Sequence, residues 1–180
     1  MTRLICLIFG TLTFVGALFP SVGAAKECQP SLPPEMASLL QSSYPGFHVL
    51  KLRELNRDDQ KIWQTAYHDA CPGIASGNFL GQHTAYAVLI VSGNKTNRGA
   101  RVILLSMRAE NRAEQRQLYE EQGAGNLPVI RTGPPGTYEA VEGGERINSP
   151  NDVVLLEHLE STVTALILFD DKVRALTLSN

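Results

Sequence analysis

The chain has 180 residues, 43% of them hydrophobic and 19% charged, with 16 Lys and Arg against 18 Asp and Glu and a formal net charge of −2. That balance lacks the clustered excess of positive charge that a phosphate backbone demands, so nucleic acid is not an expected partner. About 155 residues remain once an amino-terminal leader is removed, which suits one domain and needs no second.

The leader is read first. Arg3 precedes an apolar run from Leu4 to Leu18, followed by Pro20 and the small residues "SVGAA". This is the charged, apolar and cleavage-site order of a secretory signal peptide, residues 1–24. Cleavage after Ala24 leaves Val22 and Ala24 at the recognition positions, and cleavage after Ala25 leaves Gly23 and Ala25. The apolar run is shorter than the roughly 20 residues that span a bilayer, so no membrane span is expected after cleavage. Neither Cys6 nor Cys28 stands in a lipoprotein attachment context. Removing Arg3 with the leader shifts the formal charge to −3.

In the mature chain, residues 25–180, "SLPPEMASLLQSSYPG" predicts a helix that starts at Ser31, carries prolines in its first turn, and stops at "YPG". "FHVLKLREL" reads as a strand with a bulge. "NRDDQKIWQTAYHDACPG" has Ile62, Trp63, Ala66 and Tyr67 at helical spacing behind a cap at Asn56 or Asp58, and ends near "CPG". "TAYAVLIVS" and "ARVILLSMR", parted by "GNKTNRG", predict a hairpin in the middle of a sheet. Their nearly continuous apolar content requires that at least one strand be covered on both faces, with helices supplying one cover. A strand is expected around Gln117 to Glu121 and a shorter one ending at Arg131. A turn at "GPPG", an extended piece at "TYEAV" and a turn at "GG" follow. "DVVLLEHL", "STVTALILF" and "KVRALTLS" predict an antiparallel meander. The expected class is α+β, a mainly antiparallel sheet of about seven strands with two amino-terminal helices packed on it.

Export places Cys28 and Cys71 where thiols are oxidised, and the pair reads as one disulfide closing a loop of about 44 residues, worth roughly 4 kcal/mol in chain entropy. A catalytic alternative exists in "YHDACPG": a small exported hydrolase using His68 with Asp69 or Cys71. Nearness in sequence does not make a triad, because nucleophile, base and orienting group must converge in space. His48, His68, His83 and His158 lack the close spacing of a zinc site. Glu142, Glu145 and Glu157 have no geometry fixed by sequence.

"GNFLGQHTAYAVLIV" opens like a calcium loop, with an amide at Asn78 and a glycine at Gly81. Leu80, Gln82 and Ala85 occupy positions where charged oxygens belong, and no carboxylate lies between Gly73 and Ser106, so no metal or cofactor is expected. "CPGIASGNFLGQHTAYAVLIV", and more weakly "PPGTY" and "TALILFDDKVRALTLSN", resemble the single-copy relatives of FG-GAP and VCBS repeats, small exported bacterial domains with a loop of "GDFDGDGxxDYAVLL" type before a hydrophobic strand. The resemblance implies an extracytoplasmic domain that binds or supports and supplies no catalytic residues. The expected function is therefore a periplasmic or secreted non-catalytic binding domain, with inhibitor- or immunity-like proteins included in that class. Its partner would be another extracytoplasmic protein or an envelope component. Asn94, Lys95, Asn97 and Arg98 of "GNKTNRG", and Arg131 and Tyr138 of "RTGPPGTYE", are the candidate contacts. Asn94 also opens the sequon "NKT", although a polar hairpin tip accounts for it equally.

Overall fold

A computed structural model describes residues 28, 30–81, 83–93, 98–108, 112–123, 125–159, 161–169 and 172–178. The expected leader and the candidate contacts Asn94, Lys95 and Asn97 lie outside these residues. In chain order the elements are α1 (Pro34–Ser43), β1 (Phe47–Val49), a 3-10 turn (Leu52–Glu54), α2 (Arg57–Tyr67), β2 (Ile74–Gly77), β3 (Ala85–Ser92) and β4 (Gly99–Met107). There follow β5 (Ala113–Gln122), β6 (Val129–Gly133), β7 (Gly136–Glu139), β8 (Arg146–Ser149), β9 (Val153–His158), β10 (Thr162–Phe169) and β11 (Lys172–Leu178).

The expectation of one sheet of about seven strands is corrected: the described residues form eleven strands in three antiparallel sheets. The first has the order β1–β3–β4–β5, with β2 also paired to β3; the second is β11–β10–β9–β6; the third is the hairpin β7–β8. The β3–β4 hairpin and the β9–β10–β11 meander stand where the apolar runs put them. β1 and β2 lie end to end on one edge of β3, β1 against Ser92 to Ile90 and β2 against Val88 to Ala85. Their junction faces Leu89, whose carbonyl accepts from the Leu50 N–H at 3.0 Å and whose N–H donates to the Gly73 carbonyl at 2.9 Å. This shared edge is why "FHVLKLREL" yields only three strand residues: at Leu50 the place beside β3 passes to the Gly73 segment. The fit is close enough to need glycine, since a Cβ at Gly73 would stand 2.5 Å from the Leu50 carbonyl oxygen.

Three apolar clusters set the layers. Ala87, Leu89, Val102 and Leu104 of the first sheet meet Ile130, Val154, Leu156 and Leu166 of the second in the central core. The alternate residues Val88, Ile90, Ile103 and Leu105 point the other way and are covered by Met36 and Leu40 of α1. On the second sheet Val153, Leu155, Ala165 and Ile167 are covered by the β7–β8 hairpin through Tyr138 and Ile147. The order is helix, sheet, sheet, hairpin. The placement of both helices on one sheet face is therefore corrected as well. Only α1 covers an outer face, whereas Trp63 of α2 and Leu55 before it belong to the central core.

Local sequence explains the helix ends. The Asn56 side chain accepts from the N–H groups of Asp58 and Asp59 at 3.0 and 2.9 Å, so Asn56 rather than Asp58 is the cap. The Trp63 indole N–H donates to the Ala70 carbonyl at 2.8 Å and fastens the far end, where His68 closes the helix at a φ of 48°. α1 begins after Pro33 without a side-chain cap, so Ser31 is not its start. Prolines tolerate the first turn because their missing N–H has no intrahelical partner there.

Cys28 and Cys71 form a disulfide with Cα atoms 4.9 Å apart, as the sequence implies. It ties the arm before α1 to the segment that enters β2. Replacing both cysteines by serine is expected to lower stability by about 2 to 4 kcal/mol. Urea unfolding extrapolated to water is the measurement that checks this, with a lower midpoint and a slope at least as steep because the unfolded chain is freed of its cross-link.

Candidate functional site

The turn between β2 and β3 contains the calcium-like stretch. Phe79 is wholly buried and anchors it, while Leu80 is 41% exposed. Gly81 takes a φ of +79°, and a Cβ there would meet the Asn151 amide at 3.0 Å. The Asn78 N–H donates to Asp152 Oδ2 at 2.7 Å. The carboxylate missing from the stretch itself thus arrives from the turn between β8 and β9, and a backbone donor takes it. Among the described residues no group of three or more His, Cys, Asp or Glu is arranged to hold a metal ion.

Arg131 stands on β6 of the second sheet, and Tyr138 on β7 of the hairpin that covers that sheet. Arg131 Nε donates to Glu157, which is 6% exposed, and the Tyr67 hydroxyl donates to the other carboxylate oxygen at 3.3 Å. The Arg131 guanidinium also stands 5.9 Å from the Tyr67 ring centre. Burial first, and then the Glu157 charge, push the Tyr67 phenol above its ordinary value, against the opposing charge of Arg131. The Tyr138 hydroxyl donates to the Pro134 carbonyl at 2.5 Å and closes the "GPPG" turn. Burial raises its pKa, Arg131 opposes the rise and Asp152 adds to it.

Arg98 stands at the other end. Gly77 at the end of β2 pairs with Ala85 at the start of β3 and lies beside Asp152, while Arg98 enters β4 beside Ser92 at the far end of β3, seven residues or about 24 Å away. The two expected contact loops are thus not brought together. At the Arg98 end three loops enclose an open cleft of about 510 Å³. Arg53 and Glu54 of the 3-10 turn, the cap Asn56, Arg98, and Gly125 to Leu127 of the β5–β6 loop line it. Glu54 bonds His48 Nε2 at 2.7 Å and accepts from the Lys51 N–H at 2.9 Å. Burial would raise its pKa, but those hydrogen bonds, with the charges of His48 and Arg98, hold it below the usual carboxylate range. One Arg98 N–H reaches the Glu54 carbonyl at 3.4 Å. Among the described residues neither Arg53 nor Arg98 has a carboxylate within ion-pair distance.

The hydrolase residues are placed differently. Cys71 is bonded to Cys28 and buried, so its sulfur is not a free thiolate, while His68 and Asp69 are exposed beyond α2. Glu145 pairs with Arg174 and Glu157 with Arg131, so neither faces the other as an acid and base pair. Sequence reasoning missed Arg53 and Asn126, took Tyr67 only as an apolar helix position, and left Glu157 without a partner. For Glu157 a signal was present, since a carboxylate inside the apolar run "VVLLE" needs a buried partner.

Two outcomes follow for this region. Calcium or a chelator is expected to leave the melting temperature unmoved, because Asp152 already satisfies the turn; a clear shift in a thermal melt would count against that. A neutral Tyr67 adds stability that is whole below its ordinary value of 10.0 and is lost as pH rises through the raised folded value. Urea midpoints should accordingly fall as pH rises above about 10, and less steeply in Tyr67→Phe.

Comparison of the chain with protein-family models, with curated proteins and with solved structures returns no match.

Proposed function

We propose that the protein is an exported, non-catalytic binding domain of the periplasm or the secreted fraction, which presents the loop end around Arg53 and Arg98 to another exported protein or envelope component. The observation that carries this reading is the three-loop cleft with two arginines, neither of which has a carboxylate of the described residues within ion-pair distance. A disulfide suits an oxidising compartment, in agreement with the leader. No helix among the described residues is long and apolar enough to cross a membrane. The FG-GAP and VCBS resemblance points the same way, towards an extracytoplasmic binding domain.

Surface accounting supports the choice of end. Both outer sheet faces are covered, one by α1 and the other by the hairpin. Edge strand β5, "AEQRQLYEEQ", is mostly charged and polar, a composition that resists strand addition. The β11 edge is partly engaged, since the Val141 N–H donates to the Thr177 carbonyl at 3.0 Å. Recognition then falls to loops held by a rigid sheet. An inhibitor or immunity protein that blocks another exported protein fits this mode. The hydrolase reading is weakened because the disulfide removes Cys71 as nucleophile.

Photo-crosslinking in the native envelope tests the proposal. A photoreactive residue at Asn126 is expected to trap a reproducible protein partner, and the same residue at exposed Thr137 is not. Trapping from Thr137 alone, or ester or peptide hydrolysis by the purified protein that disappears in His68→Ala, would overturn it.

A further inference from the structure

We infer that the loop-end cleft is a receptor for a side-chain carboxylate carried on an acidic segment of a partner protein. This rests on the binding role proposed above and names the chemistry of the occupant.

The cleft combines two kinds of surface. Leu55 and Leu127 among its lining residues are each 5% exposed and give it an apolar base. Arg53 is exposed and Arg98 half-buried, and both residues line the same space. Glu54, the lining residue that could answer them, is already committed to His48 and to the Lys51 N–H. The Asn56 carboxamide is likewise spent, its oxygen on two backbone N–H groups and its nitrogen on Asp59 at 2.6 Å. What stays available is positive charge with fork-shaped donors, beside the exposed amide of Asn126. A guanidinium fork matches a carboxylate in two parallel hydrogen bonds, which a compact ammonium cannot do.

The shape selects the source of that carboxylate. Small ligands are held in pockets that bury 70–90% or more of their surface, and a trough bounded by three loops and open to solvent does not enclose them so. A glutamate projecting from a larger body fits instead: its methylenes cover Leu55 and Leu127 while its carboxylate lies between the arginines. The larger body supplies the surrounding contact area that two ion pairs alone do not. A nucleic acid would need a longer run of cations than this acidic chain presents.

The test uses the whole mature chain and a fluorescein-labelled octaglutamate peptide, followed by fluorescence anisotropy at low salt. Binding is expected, with no binding of labelled octaglutamine. Arg53→Gln with Arg98→Gln should weaken it by about tenfold or more, whereas the equal charge change Arg112→Gln with Lys172→Gln should leave it within about twofold. Asn126→Glu, which keeps both arginines and introduces a carboxylate at the rim, should weaken it too. Absence of octaglutamate binding, equal losses in the two double variants, or displacement by inorganic phosphate at the peptide's own concentration would overturn the inference. A partner trapped at Asn126 as strongly in the Arg53→Gln, Arg98→Gln protein as in the unaltered one would sink the carboxylate reading and leave the binding role standing. Failure to trap any partner at Asn126 in the unaltered protein would remove both.

Discussion

Strands β3 and β4 are apolar on both faces, and the rest of the structure answers that constraint. Leu89 and Val102 face the central core while Val88, Ile90, Ile103 and Leu105 face away, and all of them are buried. A sheet of this kind cannot leave one side in water, so a further layer is obligatory. Helix α1 supplies it with Met36 and Leu40. Burying these six outward-facing and covering side chains contributes roughly 9 to 18 kcal/mol, and ordering the ten residues of α1 costs roughly 10 to 20 kcal/mol. The two nearly cancel. A cross-link that restrains the arm before α1 in the unfolded chain, at roughly 4 kcal/mol, then decides whether the cover stays on.

The second sheet meets the same constraint with different means. Its outer face is covered by β7–β8, and a backbone bond from Val141 to Thr177 joins that hairpin to β11. Between the two main sheets runs a polar seam: the Ile130 N–H donates to the Pro72 carbonyl and the Thr132 hydroxyl to the Ser76 carbonyl, both at 2.9 Å. Tyr67, Arg131 and Glu157 tie α2 to β6 and β9 of the second sheet. A buried ion pair is weak evidence for net stability, because desolvation offsets much of its attraction. Its clearer effect is positional, since Glu157 unpaired at that depth would be costly and only one placement of α2 supplies the Tyr67 hydroxyl.

Much of this was legible where the signal is local. Apolar runs with Gly- and Asn-rich breaks gave the β3–β4 hairpin and the β9–β11 meander, and compartment chemistry gave the Cys28–Cys71 pair. β2 and β8 were not legible: "IASG" and "RINS" are four residues each and carry no apolar alternation. Their strand state comes from partners, β2 from the edge of β3 and β8 from β7. The two-sheet arrangement was hidden for a related reason, because the apolar content of β3 and β4 says that both faces are covered and not by what. The cleft was half legible. Arg98 follows from its place in a loop between two strands, but Arg53 and Asn126 lie far from it in sequence and meet it only through the fold.

The two ends of the molecule differ in how their charges are answered. At the β2–β3 turn, a calcium loop would gather several carboxylates and neutralise them with an ion. Here a single carboxylate, Asp152, is delivered from the second sheet and met by the Asn78 N–H, so that end is tied shut by groups of the chain itself. At the opposite end Glu54 is met by His48 and the Lys51 N–H, and among the described residues neither Arg53 nor Arg98 has a carboxylate within ion-pair distance. Neutralisation inside the fold makes a joint. Charge left uncompensated on a rigid rim, above an apolar base, makes a surface that another molecule can complete.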